Sequence, residues 1–405
     1  MSPKILVLGG GFAGVRAALD LSKLLPNGDI TLISKSSYHC FVPDLYEIAT
    51  AIIKNEHRAD FKNLRGTVNI PLDEIFGKTK VKVIIDEIKN IDLVRQVVNT
   101  TKENLEYNYL VICLGSTTNY KNIEGAQNFS HPFKTTEDAL NIRNDIDELV
   151  SKSPRPIEVV IAGGGFTGCE LSAELSGFLS KLSTTHKKGL GKIAVLQSKD
   201  AILSGMSKWA QDEALKRLKK LKVIILTNHK IQKITQAEIV CENQERLTFD
   251  YLIWTTGIKS AFTNINGIKL NNRGQIKVSK TLNIENFPDV FAVGDIAEFW
   301  DEKGNALVPQ TAWVAIGQAK IAARNIASSY NNLKLKKYSP LSPVFIVPVG
   351  QKFAISNMFG LNTKGLFVWF ARRLVSLKYL TSVLPPNKAL LLWLQGARIY
   401  IKNDT

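Results

Sequence analysis

One strand–glycine–helix phrase is written twice in this chain of 405 residues. Residues 8–18 read LGGGFAGVRAA, and residues 161–175 read IAGGGFTGCELSAEL. Each follows a short apolar, β-branched run, KILVL at 4–8 and IEVVIA at 157–162, of the kind that forms a buried parallel strand. Each leads into helix-forming residues. Glycines fall at Gly9, Gly11 and Gly14, and again at Gly163, Gly165 and Gly168. In such a turn the first glycine allows the tight bend and the second lets backbone approach a pyrophosphate. The third lets helix pack on strand. Phe12 and Ala13 complete the first turn, Phe166 and Thr167 the second. The helix that follows offers free N–H groups and a partial positive charge to phosphates. A single turn of this kind also occurs for packing alone. Two copies in the same context predict two dinucleotide sites.

The connecting pieces place those sites in an architecture. FPDVFAVGDIAEF (287–299) ends a short strand at Gly294-Asp295, where a carboxylate can accept a hydrogen bond from a sugar-alcohol chain such as ribityl. YNYLVICLGSTTN (107–119) and FDYLIWTTGIKS (249–260) are strand-then-glycine returns, with Gly115 and Gly257 closing the two nucleotide domains. The expected fold is α/β, with two Rossmann-like dinucleotide-binding domains, an FAD domain interrupted by an NAD(P)H domain. The expected boundaries are 1–149 and 266–330 for the FAD domain and 150–265 for the NAD(P)H domain. A basic amphipathic membrane-association region is expected at 331–405.

Charge locates that last region. The net charge is +16, from 52 Lys and Arg against 36 Asp and Glu. From Lys303 to Asn403 the chain contains no Asp or Glu, and most of the basic excess lies there. A nucleic-acid partner would suit such a field, but KGLFVWFARRLVSLKYL (364–380) and KALLLWLQGARIYIK (388–402) mix aromatic and aliphatic residues with cations. That is the composition of helices lying in a membrane interface, cations toward anionic lipid. The alternative is a basic subdomain whose apolar faces bury against the protein or a second subunit, which leaves a homodimer open. No apolar run approaches the ~18 residues of a membrane span. The chain enters its first strand at once, so no signal peptide is expected. Cys40, Cys113, Cys169 and Cys241 form neither a CxxC pair nor a zinc spacing. No metal site is expected, and a reduced setting is.

With these residues in view, the chain resembles the two-dinucleotide-binding flavoproteins, and among them the type II NADH:quinone dehydrogenases. Besides the turns, SYHCFVPDLYEIATA (37–51) is similar to the family's histidine-containing stretch beside the flavin, through His39. FKTTEDALNIRNDI (133–146) resembles its lead into the second nucleotide domain, and QTAWVAIGQAKIAARNI (310–326) its quinone-site helix. The resemblance implies FAD on the first turn, NADH on the second and two-electron reduction of a membrane quinone without proton pumping. The protein would sit peripherally at the cytoplasmic face of the cell membrane. Glu170, just past the second turn, takes the place of the family's acid near nicotinamide and flavin, with a role in positioning NADH or relaying protons. Ala312, Trp313, Gly317 and Gln318 fall in the implied quinone site.

Three departures qualify this. ITLISKS has Ser34, followed by Lys35, where an acid or amide usually binds the adenosine ribose of FAD. IAVLQSKD has Gln197 where an acid would repel a 2′-phosphate, so NADPH is expected to be tolerated beside NADH. The family pattern Ala-Gln-x-Ala-x-Gln is here Ala312-Trp313-Val314-Ala315-Ile316-Gly317, with both glutamines replaced.

Rival classes fit less well. A sulfide:quinone oxidoreductase attacks sulfide with a cysteine pair, one member late in the chain, and no cysteine follows Cys241. A disulfide reductase needs a redox pair, and Cys40 stands alone. A soluble ferredoxin or dye reductase would use a basic docking face but has no need of aromatic residues within it. A non-enzymatic flavin-binding protein would hold a flavin that NADH and NADPH leave oxidised.

Overall fold

The structure is a computed structural model describing residues 2–52, 61–302, 305–340, 345–358 and 360–403. The chain packs as two compact units. The first comprises Met1–Cys40, Asn69–Thr117 and Ile258–Leu341; the second comprises Phe41–Val68, Thr118–Gly257 and Ser342–Thr405.

The first unit is built on a six-stranded sheet. Lys4–Leu8 lies at its centre, with Asp29–Ser34 and then Lys82–Ile85 on one side. Tyr109–Ile112 and then Phe287–Ala292 lie on the other. These strands are parallel and apolar because both faces are covered: Ile5, Val7, Leu8, Leu32, Ile33 and Leu110 are fully buried. The chain leaves the central strand toward one neighbour and later returns on the other side. A crevice opens at the carboxyl ends at such a point, and ligands bind there in open α/β sheets. The helix Phe12–Leu24 follows the central strand, and Ala312–Tyr330 packs along it. Alanines at 315, 319, 322 and 323 make that close approach.

The second unit repeats the design with five parallel strands, ordered His131–Pro132, Tyr251–Trp254, Glu158–Ala162, Lys192–Leu196 and Val223–Leu226. Phe166–Thr185 is its first crossover helix. Thr136–Lys152 enters through a capping box in which Thr135 and Asp138 exchange side-chain and backbone hydrogen bonds. The last part of this unit is a three-stranded antiparallel sheet, Phe345–Pro348, Ala354–Met358 and Leu361–Gly365. Helices Leu366–Val383 and Pro386–Asn403 follow it. Pro385 and Pro386 part the two helices, because proline lacks the N–H that continuation would use. Among the described residues no helix is long and apolar enough to cross a membrane.

Candidate active site

The two glycine turns have the same backbone. Gly9 and Gly163 both sit at φ +112°, and Gly11 and Gly165 both at φ −79°. A side chain at Gly9 would strike the Cys113 carbonyl oxygen at 2.4 Å, and φ +112° disfavours one in any case. A Cβ on Gly14 would lie 1.8 Å from the Gly9 carbonyl oxygen, and one on Gly168 at the same distance from that of Gly163. These contacts close helix onto strand. At Gly11 and Gly165 the situation is reversed, with no atom within 4 Å of where a Cβ would stand. The helix N-termini therefore open onto space a pyrophosphate fits, as both dinucleotides require.

In the first unit the cradle is braced from several sides. The buried His39 ring donates from Nδ1 to the Gly10 carbonyl at 3.0 Å, and the Phe12 ring stands edge-on at 4.8 Å. Burial pushes His39 down to about 4, so its ring is neutral at pH 7. The Ser34 hydroxyl donates to the Ser36 carbonyl and accepts the Ser36 N–H, closing a local turn. Lys35 pairs with Glu87 at 3.1 Å. Gly115 accepts the Ala261 N–H. At Gly294-Asp295 the Ser116 hydroxyl donates to the Asp295 carboxylate at 2.5 Å, and Gln310 and Gln275 donate to the Asp295 carbonyl at 2.7 and 3.1 Å. A Cβ on Gly294 would meet both Ala13 and Ala315. The first turn, the Gly294-Asp295 turn and the start of the Ala312–Tyr330 helix thus converge at one place.

Gln318 belongs to this convergence as a structural acceptor: its Oε1 takes the Gly294 N–H at 2.7 Å, and the side chain is buried. The structure does not bring the four residues of the implied quinone site together. Ala312 is in the first helical turn, while Trp313 and Gly317, four residues apart, share a face that Gln318 does not. Trp313 is 57% exposed and is not a core residue.

In the second unit a cavity of about 560 Å³ is lined by Gly163, Gly165, Gln197 and Lys199 and, across it, Lys121 and His229. Gln197 is buried and donates from Nε2 to the Ala201 carbonyl at 3.0 Å, which leaves its Oε1 as an acceptor. Ser198 and Lys199 are exposed at the mouth. Gly257 sits at φ +136° near Lys121, and Phe166 and Thr167 are exposed at the turn. Cys113 and Cys169 are buried, and burial pushes both thiols up, as expected of packing residues.

Glu170 does not line that cavity. It is half-buried, within electrostatic reach of the buried Asp44 and Tyr46 and of the half-buried Arg372. Arg372 Nη2 lies 2.9 Å from Asp44 Oδ1 and also donates to the Pro43 carbonyl, while Arg373 Nη1 lies 3.3 Å from Asp44 Oδ2. Desolvation raises the Glu170 carboxyl to about 8; Arg372 pulls it down and Asp44 pushes it up. Burial likewise pushes the Tyr46 hydroxyl well above its usual range. Sequence reasoning passed over Asp44 and Tyr46 although both lie within the 37–51 stretch it singled out. It assigned Arg372 and Arg373 to lipid. The structure corrects that assignment: buried Arg373 and partly buried Arg372 both pair with the buried Asp44 carboxylate, which needs cationic partners.

Glu170 gives stability a pH dependence. The folded protein keeps a proton up to about pH 8 that the unfolded chain releases near 4.5. Stability therefore falls as pH rises through that window. Glu170→Gln is expected to flatten the fall, read as urea midpoints at about pH 5 and pH 8.5. An unchanged slope would assign the proton elsewhere.

Two parallel sheets, each opening through the same glycine turn at its carboxyl edge, define an oxidoreductase scaffold for two dinucleotides. Residues 3–319 match the family model of the pyridine nucleotide-disulphide oxidoreductases, and the chain belongs to that family. It is 28% identical over 387 residues to demethylphylloquinone reductase NdbB of Synechocystis sp., covering 93% of this chain and 91% of that one. It is 27% identical to the alternative NAD(P)H-ubiquinone oxidoreductase C1 of Arabidopsis thaliana, covering 93% and 77%. Among solved structures, NDH2 from Plasmodium falciparum superimposes with a TM-score of 0.83 at 16% identity, covering 100% of this chain and 98% of that one.

Proposed function

We propose that the protein oxidises NADH and reduces a quinone by two electrons, with FAD held on the first glycine turn and the nicotinamide dinucleotide on the second. The observation that carries this is the pair of matching open turns, in a chain whose curated relatives over nearly its whole length are named quinone reductases. A bound flavin supplies the two-electron chemistry, and the protein supplies position and electrostatics. The Gly11–Phe12 end of the first helix would hold the FAD pyrophosphate, with Asp295 as the acceptor for the ribityl chain. Neutral His39 holds the turn in place without adding charge. Glu170 keeps a proton at neutral pH beside Arg372, a store for the protons that quinone reduction consumes. The quinone is assigned to the first turn of the Ala312–Tyr330 helix, at Ala312, beside the Gly294 backbone that Gln318 fixes.

Exposed apolar residues on the last two helices support a peripheral membrane position. Phe367 is 89% exposed, Leu391 64% and Leu366 58%, with exposed Lys378, Lys388 and Arg398 on the same helices. Such helices lie in the headgroup region, apolar side down. The cytoplasmic face is the side on which NADH is available.

Stopped-flow mixing tests the whole reading. NADH should bleach the purified flavin, and a short-chain quinone should restore it. A flavin that stays oxidised would leave a binding protein; one that reduces but ignores quinone would leave a ferredoxin or dye reductase.

The donor is tested at Gln197. Gln197→Glu places a carboxylate beside the nucleotide cavity and removes the donor to Ala201. NADH use should largely persist, while use of NADPH, with its 2′-phosphate, weakens by about 1–3 kcal/mol. An unchanged ratio of kcat/KM for the two donors would show that Gln197 does not read the ribose.

A further inference from the structure

The Ala312–Tyr330 helix carries, on the face of Trp313 and Gly317, a cavity lined by no residue of either glycine turn. It measures about 390 Å³ and lies between this helix and the returning segment at 336–339. Trp313 and Gly317 line it, and these are the two positions at which the family pattern has glutamine. Tyr338 forms the opposite wall, and a Cβ on Gly317 would stand 3.5 Å from its ring, so a longer side chain there would extend into the cavity.

Four cations complete the lining: Lys320 and Arg324 from the helix, Lys336 and Lys337 from the return. All four are exposed, none is ion-paired among the described residues, and no carboxylate lines the cavity. Asp301 acts on the Tyr338 hydroxyl from outside it. The return is pinned: buried Asn325 donates to the Lys336 carbonyl at 2.9 Å and accepts the Lys336 N–H at 2.8 Å. The Tyr338 N–H donates to the Lys280 carbonyl at 2.8 Å, and the Phe299 ring stands edge-on to Tyr338 at 5.1 Å. The cavity is therefore a built feature of the fold.

Its chemistry selects a ligand with an anionic head and an apolar body. Lysine and arginine take a phosphate, while Trp313, Ile316 and Ile321 present apolar surface. An exposed Trp beside cations is the arrangement favoured where one end of a ring is dry and the other wet. A quinone is uncharged and would leave the four cations unanswered, and a flat acidic protein surface would not fill a concave site. We propose that this cavity binds the headgroup of an anionic phospholipid, its phosphate among Lys320, Arg324, Lys336 and Lys337 and its glycerol and first methylenes against Trp313. The inference adds a lipid-specific contact to the membrane reading above, on a helix separate from the two C-terminal ones.

Calorimetric titration of the FAD-loaded protein with dihexanoyl phosphatidylglycerol, kept below its micelle-forming concentration, tests this without vesicles or turnover. A failure here is thus distinguishable from a failure of membrane binding or of quinone reduction. Binding should be saturable, weaken with salt, and exceed that of dihexanoyl phosphatidylcholine at least tenfold. Lys320→Glu/Arg324→Glu should weaken it at least tenfold while the NADH–ferricyanide rate is kept. Gly317→Gln should weaken it by filling the space. Equal binding of the two lipids, or wild-type binding by the charge-reversed protein, would overturn the proposal. So would displacement by inorganic phosphate at matching concentration, which would make this a site for free anions.

Discussion

Gly11→Val is expected to purify colourless. Gly11 has φ −79° and ψ −171°, an extended conformation that valine adopts without strain. Its Cβ would touch nothing within 4 Å, so the folded chain accommodates the change. The added side chain projects instead into the opening at the N-terminus of the Phe12–Leu24 helix, where a pyrophosphate must come within hydrogen-bond reach of backbone N–H groups. Displacing it should cost at least about 3–4 kcal/mol of FAD binding, two to three orders of magnitude in affinity. The protein should still give a cooperative melt. Gly14→Val is the contrasting case: its Cβ lies 1.8 Å from the Gly9 oxygen, so turn and fold should fail together. A yellow, stoichiometric Gly11→Val protein would remove the FAD assignment from this turn.

The second large effect concerns the C-terminal helices. By composition the segment at 364–402 reads as a membrane-association region. The structure predicts that removal of residues 364–405 unfolds the second unit. Asp44 is 5% exposed and has Arg372 and Arg373 as its cationic partners. Stripping a buried carboxylate of its partners costs about 3–5 kcal/mol. The Tyr379 ring stacks on Phe41 at 5.4 Å, a contact the truncation removes. Lys364 pairs with Glu213 at 2.8 Å, and buried Val368, Leu380, Val383 and Ala389 would go as well. Against a typical total stability of about 5–15 kcal/mol, that sum is not survivable. Limited proteolysis of the truncated protein should find the second unit degraded.

Membrane binding is separable by a gentler change. Phe367, Phe370 and Leu374 are 89%, 49% and 45% exposed at helical spacing, so Phe367→Ser/Phe370→Ser/Leu374→Ser leaves the inward face intact. Flotation on anionic liposomes should fall sharply, and reduction of a long-chain quinone with it, while ferricyanide reduction persists. Retained flotation would move the membrane contact away from this helix.

What could be read in the sequence was what depends on local chemistry. Glycine at fixed offsets between an apolar run and a helix dictates φ and leaves N–H groups pointing outward. Both turns, both parallel sheets and the Gly294-Asp295 return were legible for that reason. Cys113 and Cys169 also read as packing residues, and both are buried. The basic, aromatic tail was visible as composition.

The tertiary structure decided which of those residues face what. Asp44 and Arg372 are 328 residues apart, and no local pattern couples them. Pairing with Asp44 occupies two cations that composition had assigned to lipid. The elevated proton affinity of Glu170 is likewise a property of its surroundings, set by burial and by charges from distant segments. Helix periodicity divides Gln318 from Trp313 and Gly317, but only packing shows that the first holds the Gly294 backbone while the others open onto four cations. Spacing along the chain fixes backbone geometry within a turn or two. Burial and charge act through space, so the neighbours that set them exist only once the chain has folded.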